Sequence, residues 1–214
     1  MNNYDLVLFD MDGTIANTDA MIVETFHRLY KVYKPTVVRS DEELLYFSGP
    51  PIKETLKHEF PDYDLDEIFP AYRDISRGTY EDFIKEFPLV KETLQSFINK
   101  GIKVGVITNK NSSNADLTLK IVKLDNVIDY CLGSDDVPAS KPDPRSIDMA
   151  MKHFNVLDKS KVLYVGDNTI DYVFASNAGV DCAILTWGPR GFTKETKPKY
   201  WVKDYKELMD AVVR

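Results

Sequence analysis

The sequence predicts an α/β protein in which a parallel sheet lies between two layers of helices and a helical segment interrupts the chain after the first strand. Residues 6–9, 104–107 and 162–165 are short, unbroken apolar runs, the pattern of strands covered on both faces. From Lys103 onward such runs alternate with segments of helical periodicity, which is βαβ order. Between Ala16 and about Phe87 that alternation gives way to aromatic-rich helical segments.

The first strand, Leu6-Val7-Leu8-Phe9, runs into Asp10-Met11-Asp12-Gly13-Thr14, where Asp-Gly marks a turn. Helices are expected at 19–32, from the capping-box pattern Ser40-Asp41-Glu42-Glu43 toward Phe47, at 52–60 and at 66–86. Pro35, Pro61 and the break Ser48-Gly49-Pro50-Pro51 punctuate them, and Pro88 returns the chain to the sheet. A helix over 90–100 ends at Gly101, a strand covers 103–108 and a helix 111–123. The loop Ala139-Ser140-Lys141-Pro142-Asp143-Pro144 opens a further helix. A strand over 161–166, a helix over 169–178 closed by Gly179, and a strand over 182–186 follow. The expected boundaries are a core of 1–15 and 88–214 with an insert of 16–87.

With 214 residues, 43% hydrophobic, the chain can bury a full core. A net charge of -7 with scattered positive residues argues against a nucleic-acid partner, which needs a basic face. Cys131 and Cys182 show neither a CxxC spacing nor a His-Cys cluster, so neither a disulfide framework nor a zinc site is indicated. No apolar stretch approaches the roughly 20 residues a membrane helix needs. The expectation is a soluble cytoplasmic protein with no membrane partner; monomer and dimer both remain open.

Alternation sends Asp10 and Asp12 to one side of the strand end, where two like charges should recruit a cation or a proton. Taken alone, Asp12-Gly13 is an ordinary strand-ending turn. Other strand exits and helix entrances add Thr108-Asn109, Lys141, and Gly166-Asp167 with Asp171 following. In an open α/β sheet, ligands bind outside the carboxyl ends of the strands, so these groups can converge. Carboxylates to hold Mg²⁺, a lysine and a hydroxyl suit phosphoryl transfer, with one carboxylate attacking phosphorus and the other moving protons.

In these motifs the sequence resembles the haloacid dehalogenase superfamily of phosphohydrolases, in particular the phosphoglycolate phosphatase-like group with a helical cap. Asp10-Met11-Asp12-Gly13-Thr14, Thr108, Lys141, and Gly166-Asp167 with Asp171 correspond in order and spacing to its four motifs, over nearly the whole chain. The resemblance implies a Rossmann-like three-layer core with an α-helical cap. It implies Asp10 as nucleophile and Mg²⁺ ligand, Asp12 as general acid/base with its backbone carbonyl on the metal, Asp167 as a further metal ligand and Asp171 behind them. Thr108 and Asn109 would contact the phosphoryl group, and Lys141 would neutralise charge on substrate and nucleophile. An acid at Asp12 favours a phosphatase over a dehalogenase; Asn17-Thr18 departs from the family's usual Asp-Ser without touching the chemistry.

Several residues carry a second reading. Asp171 also suits compensation of a helix dipole, Asn109 a plain turn, and Lys53 either a substrate contact from the cap or a solvated helix charge. His27, His58 and His153 fall outside the motifs, the cap aromatics suit packing, and whether Trp187-Gly188 approaches the site is left open. The leading expectation is hydrolysis of a small phosphorylated metabolite, phosphoglycolate by resemblance. Gly49-Pro50-Pro51 also resembles the cap of inorganic pyrophosphatases in the same group. A phosphomutase and, from another class, a phospho-Asp receiver module are the rivals; an insert of this length argues against the receiver.

Overall fold

The computed structural model describes residues 3–48, 52–188 and 191–213; Gly49, Pro50 and Pro51, which carry the pyrophosphatase resemblance, lie outside them. The chain forms two compact units, Met1–Asn17 with Glu86–Arg214, and Thr18–Lys85.

In the first unit β1 (Leu6–Phe9) is followed by β2 (Ala16–Asn17). The second unit holds α1 (Asp19–Tyr33), α2 (Asp41–Leu45), α3 (Ile52–Glu59), α4 (Leu65–Arg77) and α5 (Tyr80–Phe83), and β3 (Lys85–Glu86) pairs with β2. The chain continues through α6 (Val90–Asn99), β4 (Lys103–Ile107), α7 (Ser112–Ile121), β5 (Cys131–Leu132), α8 (Arg145–His153), β6 (Val162–Gly166), α9 (Thr169–Ala178), β7 (Asp181–Leu185), β8 (Tyr200–Val202) and α10 (Tyr205–Val212).

Six strands form one parallel sheet in the order β5-β4-β1-β6-β7-β8. The chain winds outward from β1 in both directions, so β1 lies between β4 and β6 and the strand order reverses there. Leu6, Leu8, Val162, Tyr164, Phe174 and Ile184 belong to its buried core. Removing such a side chain from water is worth about 1.5–3 kcal/mol, which explains why the central strands read as unbroken apolar runs. The insert buries its own core around Phe26, Leu29, Leu44, Leu56, Phe60 and Ile68.

The capping box at Ser40 and Glu43 forms as the sequence predicts. The single helix expected over 66–86 does not: α4 stops at Gly78, α5 occupies Tyr80–Phe83, and Lys85–Glu86 is extended. Thr79 is fully buried and its hydroxyl donates to the Ser76 carbonyl at 2.7 Å, a side-chain competitor for the helical ladder. β5, β8 and α10 have no counterpart in the sequence reading, being two, three and eight residues long. Both cysteines are free thiols. No helix among the described residues is long and apolar enough to cross a membrane.

Candidate active site

Register places the site. Phe9 is level with Val106 of β4 and Val165 of β6, so the residues that follow, Asp10, Thr108 and Asp167, leave three adjacent strands at their carboxyl ends. The Asp10 amide is still held by the Val165 carbonyl at 2.8 Å, after which the chain turns. The Met11 carbonyl accepts from the amides of Ile15 and Ala16, both at 3.0 Å, and Gly13 takes the left-handed φ of 80° that favours glycine.

Lys141, contributed by the loop before α8, is buried in this crevice with its ammonium 2.7 Å from Asp10 Oδ1 and 2.8 Å from Asp171 Oδ1. It also donates to the Tyr164 hydroxyl at 3.1 Å, which in turn donates to the Ile107 carbonyl at 3.0 Å. Burial would push this ammonium toward neutrality, but the charges of Asp10 and Asp171 hold its pKa well above the ordinary lysine range. Asp10 shows the opposite balance. Burial pushes its carboxyl up to about 7; Lys141 pulls it down, while Asp171 and Asp12 add to the rise.

Asp171 makes two kinds of contact at once. Its Oδ2 accepts from the Asp167 and Asn168 amides at 3.2 and 3.1 Å, completing a capping box at the start of α9, while Oδ1 holds Lys141. This close approach requires Gly166: a Cβ there would lie 2.3 Å from Asp171 Cγ. Gly166→Ala should therefore displace Asp171, lowering the thermal midpoint by roughly 5 °C through overpacking and phosphatase activity by more than about tenfold. A melt and a rate assay check it, and a wild-type rate would show that Asp171 need not sit here.

Thr108 is buried at the end of β4, its hydroxyl accepting from the Lys110 amide at 3.1 Å. Asn109 turns to the lysine loop: its Oδ1 accepts from the Lys141 amide at 2.8 Å and its Nδ2 donates to the Lys141 carbonyl at 3.4 Å, clamping the backbone that presents the ammonium. Lys110 escaped the sequence reading, yet its Nζ lies 2.7 Å from Asp12 Oδ1. Adjacency to Thr108-Asn109 was its only signal. Lys110→Met should leave the fold intact and cut kcat by about tenfold through loss of one charge-assisted hydrogen bond, and steady-state rates beside a melt would show whether Asp12 needs this partner. Lys53 lies in the insert, exposed on α3, with its ammonium 4.8 Å from the centre of the Phe69 ring. His27 and His58 lie in the insert beside Asp41 and Glu59, while His153 stacks on Tyr130.

One oxygen from each of Asp10, Asp167 and Asp171 lies within 4.8 Å of the others. Thr14 donates to Asp167 Oδ1 at 3.3 Å. Three clustered carboxylates, two of them on Lys141, leave an excess of negative charge in a region of low dielectric, and hard oxygen donors of this kind fit a divalent cation.

A family model described as haloacid dehalogenase-like hydrolase matches residues 7–185. The chain is 30% identical over 205 residues to pyrophosphatase PpaX of Bacillus thuringiensis, covering 95% of this chain and 94% of that protein. It is 33% identical over 190 residues to pyrophosphatase PpaX of Anoxybacillus flavithermus, covering 88% and 86%. A haloacid dehalogenase-like family hydrolase of Streptococcus pneumoniae shares the fold at a TM-score of 0.85 and 20% identity, with 98% of each chain covered. Strand order, the converging carboxylates and lysine, and similarity along the chain agree, and the protein belongs to the haloacid dehalogenase-like hydrolases as a phosphatase.

Proposed function

We propose that the protein is a Mg²⁺-dependent phosphohydrolase that works through an aspartyl-phosphate on Asp10. The observation that carries this reading is the Lys141 ammonium held at 2.7 and 2.8 Å between Asp10 and Asp171 beside Asp167. Asp10 attacks phosphorus with one carboxylate oxygen while the bond to the leaving oxygen breaks and Asp12 gives that oxygen its proton. Asp12 then takes a proton from water, which attacks the aspartyl-phosphate and releases phosphate and the Asp10 carboxylate. Lys141 balances the charge on Asp10 and on the phosphoryl oxygens, Thr108 donates to those oxygens, and Asn109 holds the lysine loop in place. Asp10, the Asp12 carbonyl and Asp167 would hold Mg²⁺, which supplies charge neutralisation at the phosphoryl group. Asp171 keeps Lys141 in position. The insert, taken as 16–87 with turning points near Ala16 and Phe87, serves as a cap that excludes water and selects substrate.

Pyrophosphate comes first as substrate, supported by the name of the relatives that match nearly the full length, ahead of the phosphoglycolate that the sequence motifs suggest. Phosphate release from pyrophosphate, phosphoglycolate, sugar phosphates and nucleotides, each with Mg²⁺ and with EDTA, decides between them. The expected result is strong, EDTA-sensitive release from pyrophosphate; preference for phosphoglycolate would overturn the substrate, and release unaffected by EDTA would overturn the metal.

A further inference from the structure

The turn after Asp12 is gripped from the far end of the chain. The Trp187 indole N–H donates to the Gly13 carbonyl at 2.9 Å, and the Tyr205 hydroxyl donates to the Thr14 carbonyl at 3.1 Å. The Trp187 and Tyr205 rings are neighbours, with centroids 5.6 Å apart. On Trp187 also stacks Phe87, 4.1 Å away and within 16° of parallel. Phe87 is the second residue of the sheet unit after the insert, which ends at Lys85.

Gly13 is where such a grip matters. Glycine is the residue whose dihedrals are cheapest to change, and here it sits at a φ of 80° directly after Asp12. Its amide donates to the Ala16 carbonyl at 2.8 Å, and its carbonyl is fixed by Trp187, so both ends of the residue are tied. Release of the carbonyl frees ψ of Gly13 and the Gly13–Thr14 peptide, and so loosens the turn, closed by the Gly13 amide on the Ala16 carbonyl, that follows Asp12 and sets where it stands. The half-buried Trp187 indole favours an acceptor for its N–H, but packing alone does not require that acceptor to be the carbonyl one residue beyond Asp12.

We infer that Trp187 is a positioning residue: its indole N–H fixes the Gly13–Thr14 peptide and thereby the turn that sets where Asp12 stands, and its stack on Phe87 makes that hold depend on the segment returning from the insert. The inference rests on Asp12 acting as the proton donor to the leaving group. A misaimed Asp12 slows breakdown of the aspartyl-phosphate equally for every substrate, but in the step that expels the leaving group it spares p-nitrophenyl phosphate, whose leaving group departs without a proton, while simple alkyl phosphates suffer.

The full-length protein is assayed with Mg²⁺ on p-nitrophenyl phosphate and on an alkyl phosphate, in wild type, Asp12→Asn, Trp187→Phe, Phe87→Ala and the double variant. Trp187→Phe keeps an aromatic ring to stack on Phe87 and loses the donor. It should lower kcat/KM on the alkyl phosphate by about tenfold, with less than about twofold on p-nitrophenyl phosphate, a fraction of what general-acid catalysis supplies; kcat/KM ends at departure of the leaving group and so leaves out the hydrolysis of the aspartyl-phosphate. Phe87→Ala should show the same split, and the double variant should be no worse than Trp187→Phe, because both act through one contact. Equal losses of kcat/KM on both substrates, a lowered melting point with unaltered kcat/KM, or additive effects in the double variant would overturn the inference. Asp12→Asn separates the two levels: if it shows no leaving-group split, the role of Asp12 fails and this inference with it. If it shows the split and Trp187→Phe does not, only the role of Trp187 fails.

Discussion

Asp10→Asn should abolish turnover, by at least about 10⁴-fold, because an amide cannot serve as the nucleophile of the covalent scheme. The same variant should fold at least as well as wild type in EDTA. Burial holds the Asp10 carboxyl near pKa 7, so the ionised group is costly in the metal-free fold, and replacing it with a neutral isostere removes that cost. A melting point equal to or above wild type, together with loss of phosphate release, is the expected pair of results. Retained activity would remove Asp10 from the chemistry; a collapsed melting point would mean that its charge supports the fold, against the direction of its pKa.

Lys141→Met should be damaging in both respects. Methionine matches the lysine stem in length but leaves Asp10 and Asp171, buried at 8% and 0% exposure, without their shared cation. Breaking a buried pair by removing one partner costs about 3–5 kcal/mol, here a fall in melting point on the order of 10 °C. Activity should fall by about 10³-fold or more, since phosphoryl transfer relies on placed positive charge. Circular dichroism melts and phosphate release check the two effects separately. Near-normal activity would move the phosphate-binding cation elsewhere, with Lys110 the next cation in the site. Lys141→Arg is expected to fail as well, because a planar guanidinium does not fit the enclosed space between two carboxylates and the Tyr164 hydroxyl.

The ends of β1, β4 and β6 were legible in the sequence because their signals are local: an apolar run, then polar residues. The βαβ order then implied that Asp10, Thr108 and Asp167 leave the sheet on one side. Lys141 was legible only through its loop motif, since nothing in Ala139-Ser140-Lys141 says that the ammonium will be buried. The contacts of Tyr164 and Lys110 were not legible. Tyr164 reads as one more bulky strand residue, and its hydroxyl acquires meaning only when Lys141 arrives from 23 positions away. Lys110 meets Asp12 across 98 positions, a pairing fixed by the adjacency of β1 and β4 and by no periodicity. The break at Gly78 was missed for a related reason: helix periodicity over 66–86 carries no sign that the Thr79 hydroxyl, buried against Thr25, takes the Ser76 carbonyl.

Asp10, Asp12, Thr108, Lys141, Asp167 and Asp171 all belong to the sheet unit, and the insert buries a hydrophobic core of its own. With the insert as the substrate-selecting cap proposed above, evolution can exchange or reshape it without dismantling the reactive groups, and rewrite the choice of compound while bond-breaking stays constant. The same separation offers a route for engineering: transplanting an insert from a relative at the joins near Asn17 and Glu86 should carry preference with it and leave the reaction type of the recipient in place.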